Sequence, residues 1–201
     1  MRKLFIIFVA LFASTTLWAQ RFQSGDLYYN VTSDSTVEVT YQHSESELNY
    51  SELTEVVIPE NVINNNITYK VTCVGENAFY YSSSITKVEM ANSIISISES
   101  AFYGCISLEN IMLSQHLETI ATNAFYNCRA LAIIEIPHSV IHIESGAFYS
   151  TKLYNNNANW QNNVLYIGDC LIVSNTSLSG DYVIKDGTRL IADRGFYNKY
   201  N

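Results

Sequence analysis

The side chains able to do acid–base, nucleophilic or metal chemistry are few and scattered. Four histidines (His43, His116, His138, His142) and four cysteines (Cys73, Cys105, Cys128, Cys170) stand among 201 residues. His138 and His142 are four apart, but a strand-and-turn region does not put them on one helical face, and H-E-x-x-H is absent. There is no C-x-x-C for zinc or dithiol redox work. Nor is there a phosphate loop, a Rossmann fingerprint or a G-x-S-x-G elbow. The acidic residues are dispersed, so a paired-carboxylate glycosidase is not signalled. The expectation is a chain with no catalysis, no metal site and no cofactor.

Binding chemistry is better represented. Tyr80, Tyr103, Tyr126 and Tyr149 recur at a fixed interval of 23 residues, and Tyr197 follows later. They read either as an aromatic platform for a sugar or peptide, or as a partly buried packing ladder; a column present in every unit favours packing. A second set of positions points outward from predicted strands. Glu55, Lys87, Asn110 and Ile133 form one row; Val57, Glu89, Met112 and Glu135 form the next. They are either solvated strand positions or a ligand-binding face, and the apolar Val57, Met112 and Ile133 are unusual for pure solvation. Trp160, in an Asn-rich stretch, is a candidate aromatic contact or a lid on local core.

The elements that must position these residues repeat. Ala-Phe pairs occur at Ala78-Phe79, Ala101-Phe102, Ala124-Phe125 and Ala147-Phe148, each 23 residues after the last. In register with them run apolar columns: Val71, Ile94, Leu117, Val140; Val74, Ile97, Ile120, Ile143; Ile85, Leu108, Leu131; Val88, Ile111, Ile134; Met90, Leu113, Ile136. The fourth unit breaks the last two columns with Asn157 and Asn159. A period of about 20–29 residues with recurring apolar positions predicts a mainly β leucine-rich-repeat solenoid, whose short parallel strands stack about 4.8 Å apart around one core.

The chain in order fits that frame. Residues 1–19, MRKLFIIFVALFASTTLWA, carry Arg2 and Lys3, a short apolar run and a small-residue end, and read as a secretory signal peptide cleaved after Ala19. The run is too short to span a bilayer, and no later stretch could span one. Residues 20–52 read as an N-terminal β cap: Leu27–Val31 and Val37–Tyr41 form a hairpin turning at 33–35, followed by a polar loop over 42–52. The solenoid covers 53–201. A half repeat at 53–59 and a loop-like insert at 60–70 precede the first full unit, and an insertion lies at about 155–180. Within it VLYIG and CLIV predict a hairpin; the repeat resumes at 182–184 and again over 188–196. The chain stops five residues past Phe196 without a capping unit, as the N-terminal part of a larger protein would, or a form that associates through that end.

The units resemble the BspA-type leucine-rich repeat, whose pattern is roughly L-x-x-I-x-I-P followed by V-x-x-I-x-x-x-A-F-x-x-C. Leu131, Ile134, Ile136, Pro137, Val140, Ile143, Ala147 and Phe148 follow it, and Cys105 and Cys128 occupy its Cys column. The resemblance implies an exported cell-surface protein, of the Bacteroidetes type, that binds a host or bacterial surface protein. A glycan-binding accessory protein and a structural piece of a surface assembly are the alternatives. Rung spacing suits a Cys105–Cys128 disulfide, but parallel side chains rarely offer its dihedral, so four buried thiols are expected. Loss of Arg2 and Lys3 leaves nine basic against nineteen acidic residues and moves the formal charge from −8 to −10. That balance argues against nucleic acid and anionic membrane surfaces as partners.

Overall fold

A computed structural model describes residues 20–42 and 50–196. The expected signal peptide with its Ala19 cleavage point, His43 and Tyr197 lie outside the described residues.

The first segment forms three strands rather than two. β1 (Arg21–Ser24) pairs antiparallel with β2 (Leu27–Val31), and β2 with β3 (Thr36–Thr40). β1 has a single apolar residue, Phe22, which gives no alternation to read; its ring stacks on Tyr29 at 5.6 Å. Leu27, Tyr29, Val37 and Val39 face inward, and the Ser33 hydroxyl closes the second turn by accepting from the Thr36 N–H at 3.1 Å. β3 then lies parallel to the first solenoid strand and joins the meander to the sheet.

β4 (Glu55–Ile58) is the half repeat. The expected loop at 60–70 is instead a hairpin of β5 (Asn61–Asn64) and β6 (Ile67–Val74). Its two-residue turn is Asn65-Asn66, with φ of 50° and 63°. Asn tolerates the left-handed conformation that such a turn needs at both positions, so the polar run is a turn signal and not a loop signal. Val62 and Tyr69, paired across the hairpin, are buried.

The coils follow. β7 (Lys87–Met90) and β9 (Asn110–Met112) extend β4 into a three-stranded parallel sheet. β8 (Ser96–Ile97), β10 (Thr119–Ile120) and β11 (His142–Ile143) extend β6 in register, with Val74, Ile97, Ile120 and Ile143 in one buried column. Between the sheets the Ala-Phe turns stack as rungs: Phe79 donates to the Ala101 carbonyl, Phe102 to Ala124 and Phe125 to Ala147, at 2.7–2.8 Å. The four Phe rings lie nearly parallel at 5.0, 5.3 and 5.6 Å. Tyr50, in the stretch read as loop, starts this ladder. It is buried, its ring lies 5.1 Å from Phe79, and its hydroxyl bonds to the Thr40 carbonyl and the Tyr28 N–H.

Each coil turns through two left-handed residues. Asn77, Ser100, Asn123 and Gly146 form one such column; Tyr81, Gly104, Asn127 and Ser150 form the other, with φ between 53° and 74°. Gly146 is needed for space as well: a Cβ there would sit 2.3 Å from the Asn123 amide oxygen.

All four cysteines are free. Cys105 and Cys128 donate to the Phe79 and Phe102 carbonyls one coil back, each at 3.1 Å, and so serve as rung contacts instead of a disulfide. Cys170 is buried, whereas Cys73 is only half-buried.

The end of the array departs from expectation. α1 (Lys152–Asn155), capped by the Thr151 hydroxyl, is followed by a short 3-10 turn at Asn157–Asn159 and by β12 (Trp160–Gln161). β13 (Val164–Ile167) and β14 (Cys170–Ser174) form the expected hairpin, buried on both faces. Leu165, Ile167, Cys170 and Ile172 join the solenoid core, while Val164, Tyr166 and Leu171 form a second cluster with Leu178, Tyr182 and Phe196. β15 (Leu190–Ile191) runs parallel to β14. At 182–184 Val183 is 88% exposed, as its outward repeat position requires, whereas Ile184, expected inward, is 41% exposed, and the Phe196 ring packs on Tyr182. The hairpin packs beside the new coil, and the Asp193 N–H still donates to the Ile143 carbonyl of the old coil at 2.8 Å.

Candidate ligand-binding face

The outward rows pair as expected on the three-stranded sheet. Glu55, Lys87 and Asn110 are direct neighbours across β4, β7 and β9, as are Val57, Glu89 and Met112. Lys87 and Glu89 form an ion pair at 2.5 Å, and the Glu89 carboxylate raises the Lys87 ammonium above its ordinary pKa.

The fourth rung is different. Residues 131–136 were expected to form a strand beside β9, and they do not. Ile111 is only half-buried although Val88, its neighbour on β7, is fully buried. The reason lies one coil later. Asn157 and Asn159 replace the apolar residues that would hold a further rung, and α1 stands there instead, its Leu153 N–H donating to the Leu131 carbonyl at 2.9 Å. No strand supports 131–136 from the far side, and the stretch leaves the sheet.

The result is a groove of about 770 Å³ lined by β7, β9 and residues 130–135. Six of the eight outward residues line it: Lys87, Glu89, Asn110, Met112, Ile133 and Glu135. Glu55 and Val57, on β4, lie outside it. Met112 and Ile133 are 61% and 77% exposed on its flanks, while Ile111 and Ile134 complete its apolar lining. The flanking residues belong to the outward pattern of the repeat, whereas the opening does not follow from that pattern, which predicts a regular fourth rung.

The tyrosines form a ribbon. Tyr80, Tyr103, Tyr126 and Tyr149 stack at 5.1, 4.7 and 5.3 Å, and Tyr154 and Trp160 continue the line at 4.8 and 5.3 Å. Stacking of this kind covers ring faces with other ring faces. The ribbon presents ring edges and hydroxyls, which do not suit a sugar that must lie flat on an aromatic face. Trp160 meets Tyr154 edge-on and donates its indole N–H to the Tyr154 carbonyl at 2.8 Å. It also borders a shallow depression of about 570 Å³ with Asn155, Asn157, Asn162, Asn163 and Asn175.

The three described histidines have separate surroundings. His116 bonds to the Asn92 carbonyl at 2.9 Å, His138 lies 3.7 Å from Asp169, and His142 is exposed on β11. Arg189 is the main partner of Asp169, at 3.2 Å, and helps hold that carboxyl below its usual range against the effect of burial. Arg189 also reaches the carbonyls of His138 and Val140, so this cluster ties the last coil to the fourth unit. Among the described residues no group of three His, Cys, Asp or Glu could hold a metal ion, and no helix is long and apolar enough to cross a membrane.

Comparison with known proteins gives a consistent result. The model of the BspA type leucine rich repeat region matches residues 72–201 in six copies. A leucine-rich repeat protein from Bacteroides capillosus is 34% identical with a TM-score of 0.58, over 68% of this chain and 95% of that one. One from Bacteroides ovatus shares the fold at 24% identity and TM-score 0.60, over 86% of this chain and 37% of the other. The leucine rich repeat protein of T. pallidum is 28% identical with a TM-score of 0.52, over 62% and 53%. The chain thus spans nearly all of the first relative's length but 37% and 53% of the other two. No curated protein sequence matches it.

Proposed function

The chain belongs to the BspA-type leucine-rich-repeat family, and on that premise we propose that it is an exported cell-surface protein that captures a macromolecular ligand, a host or bacterial surface protein, without catalysis. The groove beside β9 carries this reading. It brings exposed Met112 and Ile133 together with Lys87, Glu89 and Glu135 on one open face. Apolar residues ringed by charge on a rigid scaffold are the usual composition of a protein-binding surface. The apolar leader over residues 1–19 and the excess of acidic residues support export and solubility after it.

The test is a binding screen of the purified protein against immobilised extracellular-matrix proteins and a glycan array. The expected result is saturable binding to a protein, lost in Met112→Asp and Ile133→Asp. Each substitution buries an unpaired carboxylate in the interface, and a loss of about 2–5 kcal/mol is expected for a charge left unpaired in a binding site. The Asn-lined depression at Trp160 favours a second reading, glycan capture. Selective glycan binding abolished by Trp160→Ala, with protein binding absent, would replace the first reading with that one.

A further inference from the structure

On the reading that the groove is the binding face, we propose that its ligand is an extended polypeptide segment that joins the second sheet beside β9 as a fourth strand. The backbone is the first observation. Successive residues of a strand turn their N–H and C=O groups to opposite sides. Asn110 donates back to the Thr86 carbonyl at 3.1 Å, so Ile111 turns its pair away from β7, into the groove. Among the described residues no backbone hydrogen bond crosses from β9 to 131–136. An edge left unpaired in this way is a template for an added strand, with main-chain bonds giving affinity and alternate side-chain pockets giving specificity.

The lining sets the chemistry of the occupant. β9 offers three residues, about 10 Å at the strand rise of about 3.3 Å per residue, so a short extended segment suffices. Its inward side chains meet Ile111 and Ile134 and must be apolar. Its outward side chains lie near Glu109 and Glu135, which among the described residues have no cation paired to them, whereas Lys87 is already paired with Glu89 and, of the groove's other lining residues, Lys152 alone is basic. The formal charge of the whole chain, −8, has the same sign. The partner segment therefore alternates apolar and basic residues.

An acetylated peptide alternating Val and Lys tests this, with two controls of identical sequence N-methylated at either alternate set of amides. Binding to the full chain is followed by fluorescence anisotropy, and amide exchange by NMR. The expected result is saturable binding of the plain peptide, slowed exchange at the Ile111 amide, binding weaker by about tenfold in Glu109→Lys/Glu135→Lys, and loss of binding for the control whose bonding edge is blocked. Both substituted residues are exposed, so the variant keeps its fold. Absence of peptide binding, or binding equal in both N-methylated controls, overturns the proposal. So does Ile111 protection that grows with protein concentration alone, which would identify a second copy as the occupant. If Met112→Asp still abolishes capture of a surface protein while the captured protein leaves Ile111 exchange unchanged, the face stands as the binding site and the added strand is refuted.

Discussion

Replacing Tyr126 with Ala should destabilise the solenoid without touching the groove. The Tyr126 ring lies between Tyr103 and Tyr149, at 4.7 and 5.3 Å, and is half-buried. Burying half of an aromatic side chain is worth about 1 kcal/mol. Two aromatic neighbours add roughly 0.5–1.5 kcal/mol each, and these terms overlap in part. No sealed cavity forms, because water reaches the site. The expected loss is about 2–3 kcal/mol, which at about 2–4 °C per kcal/mol lowers the melting temperature by roughly 4–12 °C. Tyr126→Phe keeps both stacks and should stay within about 0.5 kcal/mol of the parent. Calorimetry on the three proteins, alongside binding to whatever the screen identifies, separates the two roles of the ribbon. An unchanged melting temperature in Tyr126→Ala, or an equal loss in Tyr126→Phe, would refute the packing argument. Loss of ligand binding with unchanged stability would make the ribbon a contact surface.

Two further outcomes are expected. Gly146→Val places a β-branched residue at φ 74° with its Cβ 2.3 Å from the Asn123 amide oxygen; a cost of about 2–3 kcal/mol in chemical denaturation is expected, and a midpoint equal to the parent would show that the turn yields. Burial raises the Cys128 and Cys170 thiols from an ordinary value near 9 to about 12, and that of Cys105 well above 9. For an acid whose folded-state pKa is raised, stability is fully present below the unfolded value and is lost as pH rises through the folded one. Denaturation midpoints should therefore hold up to about pH 8 and fall between about pH 9 and about 12, less steeply in Cys128→Ala; a flat profile through pH 11 would contradict burial of these thiols.

The repeat, its period and its inward columns were legible in the sequence because each coil repeats the same burial problem. Phe79, Phe102, Phe125 and Phe148, or Val74 through Ile143, show in register what a single strand would show only ambiguously. The two rows on β4, β7 and β9 were legible for the same reason, since alternation within a parallel rung decides which side chains point out. Breaks in the repeat were not legible. Tyr50 starts the Phe ladder from a stretch whose composition is that of a loop, because its partners Thr40, Tyr28 and Phe79 are distant in sequence. Asn65-Asn66 closes a hairpin through left-handed φ, a property Asn shares with ordinary loops. The groove depends on a strand that fails to form at 131–136 although its own residues fit the pattern; the missing support lies in the next coil, at Asn157 and Asn159. Local sequence sets what each coil can bury. Whether a rung stays in the sheet is decided by its neighbours on both sides, and only the folded chain holds both.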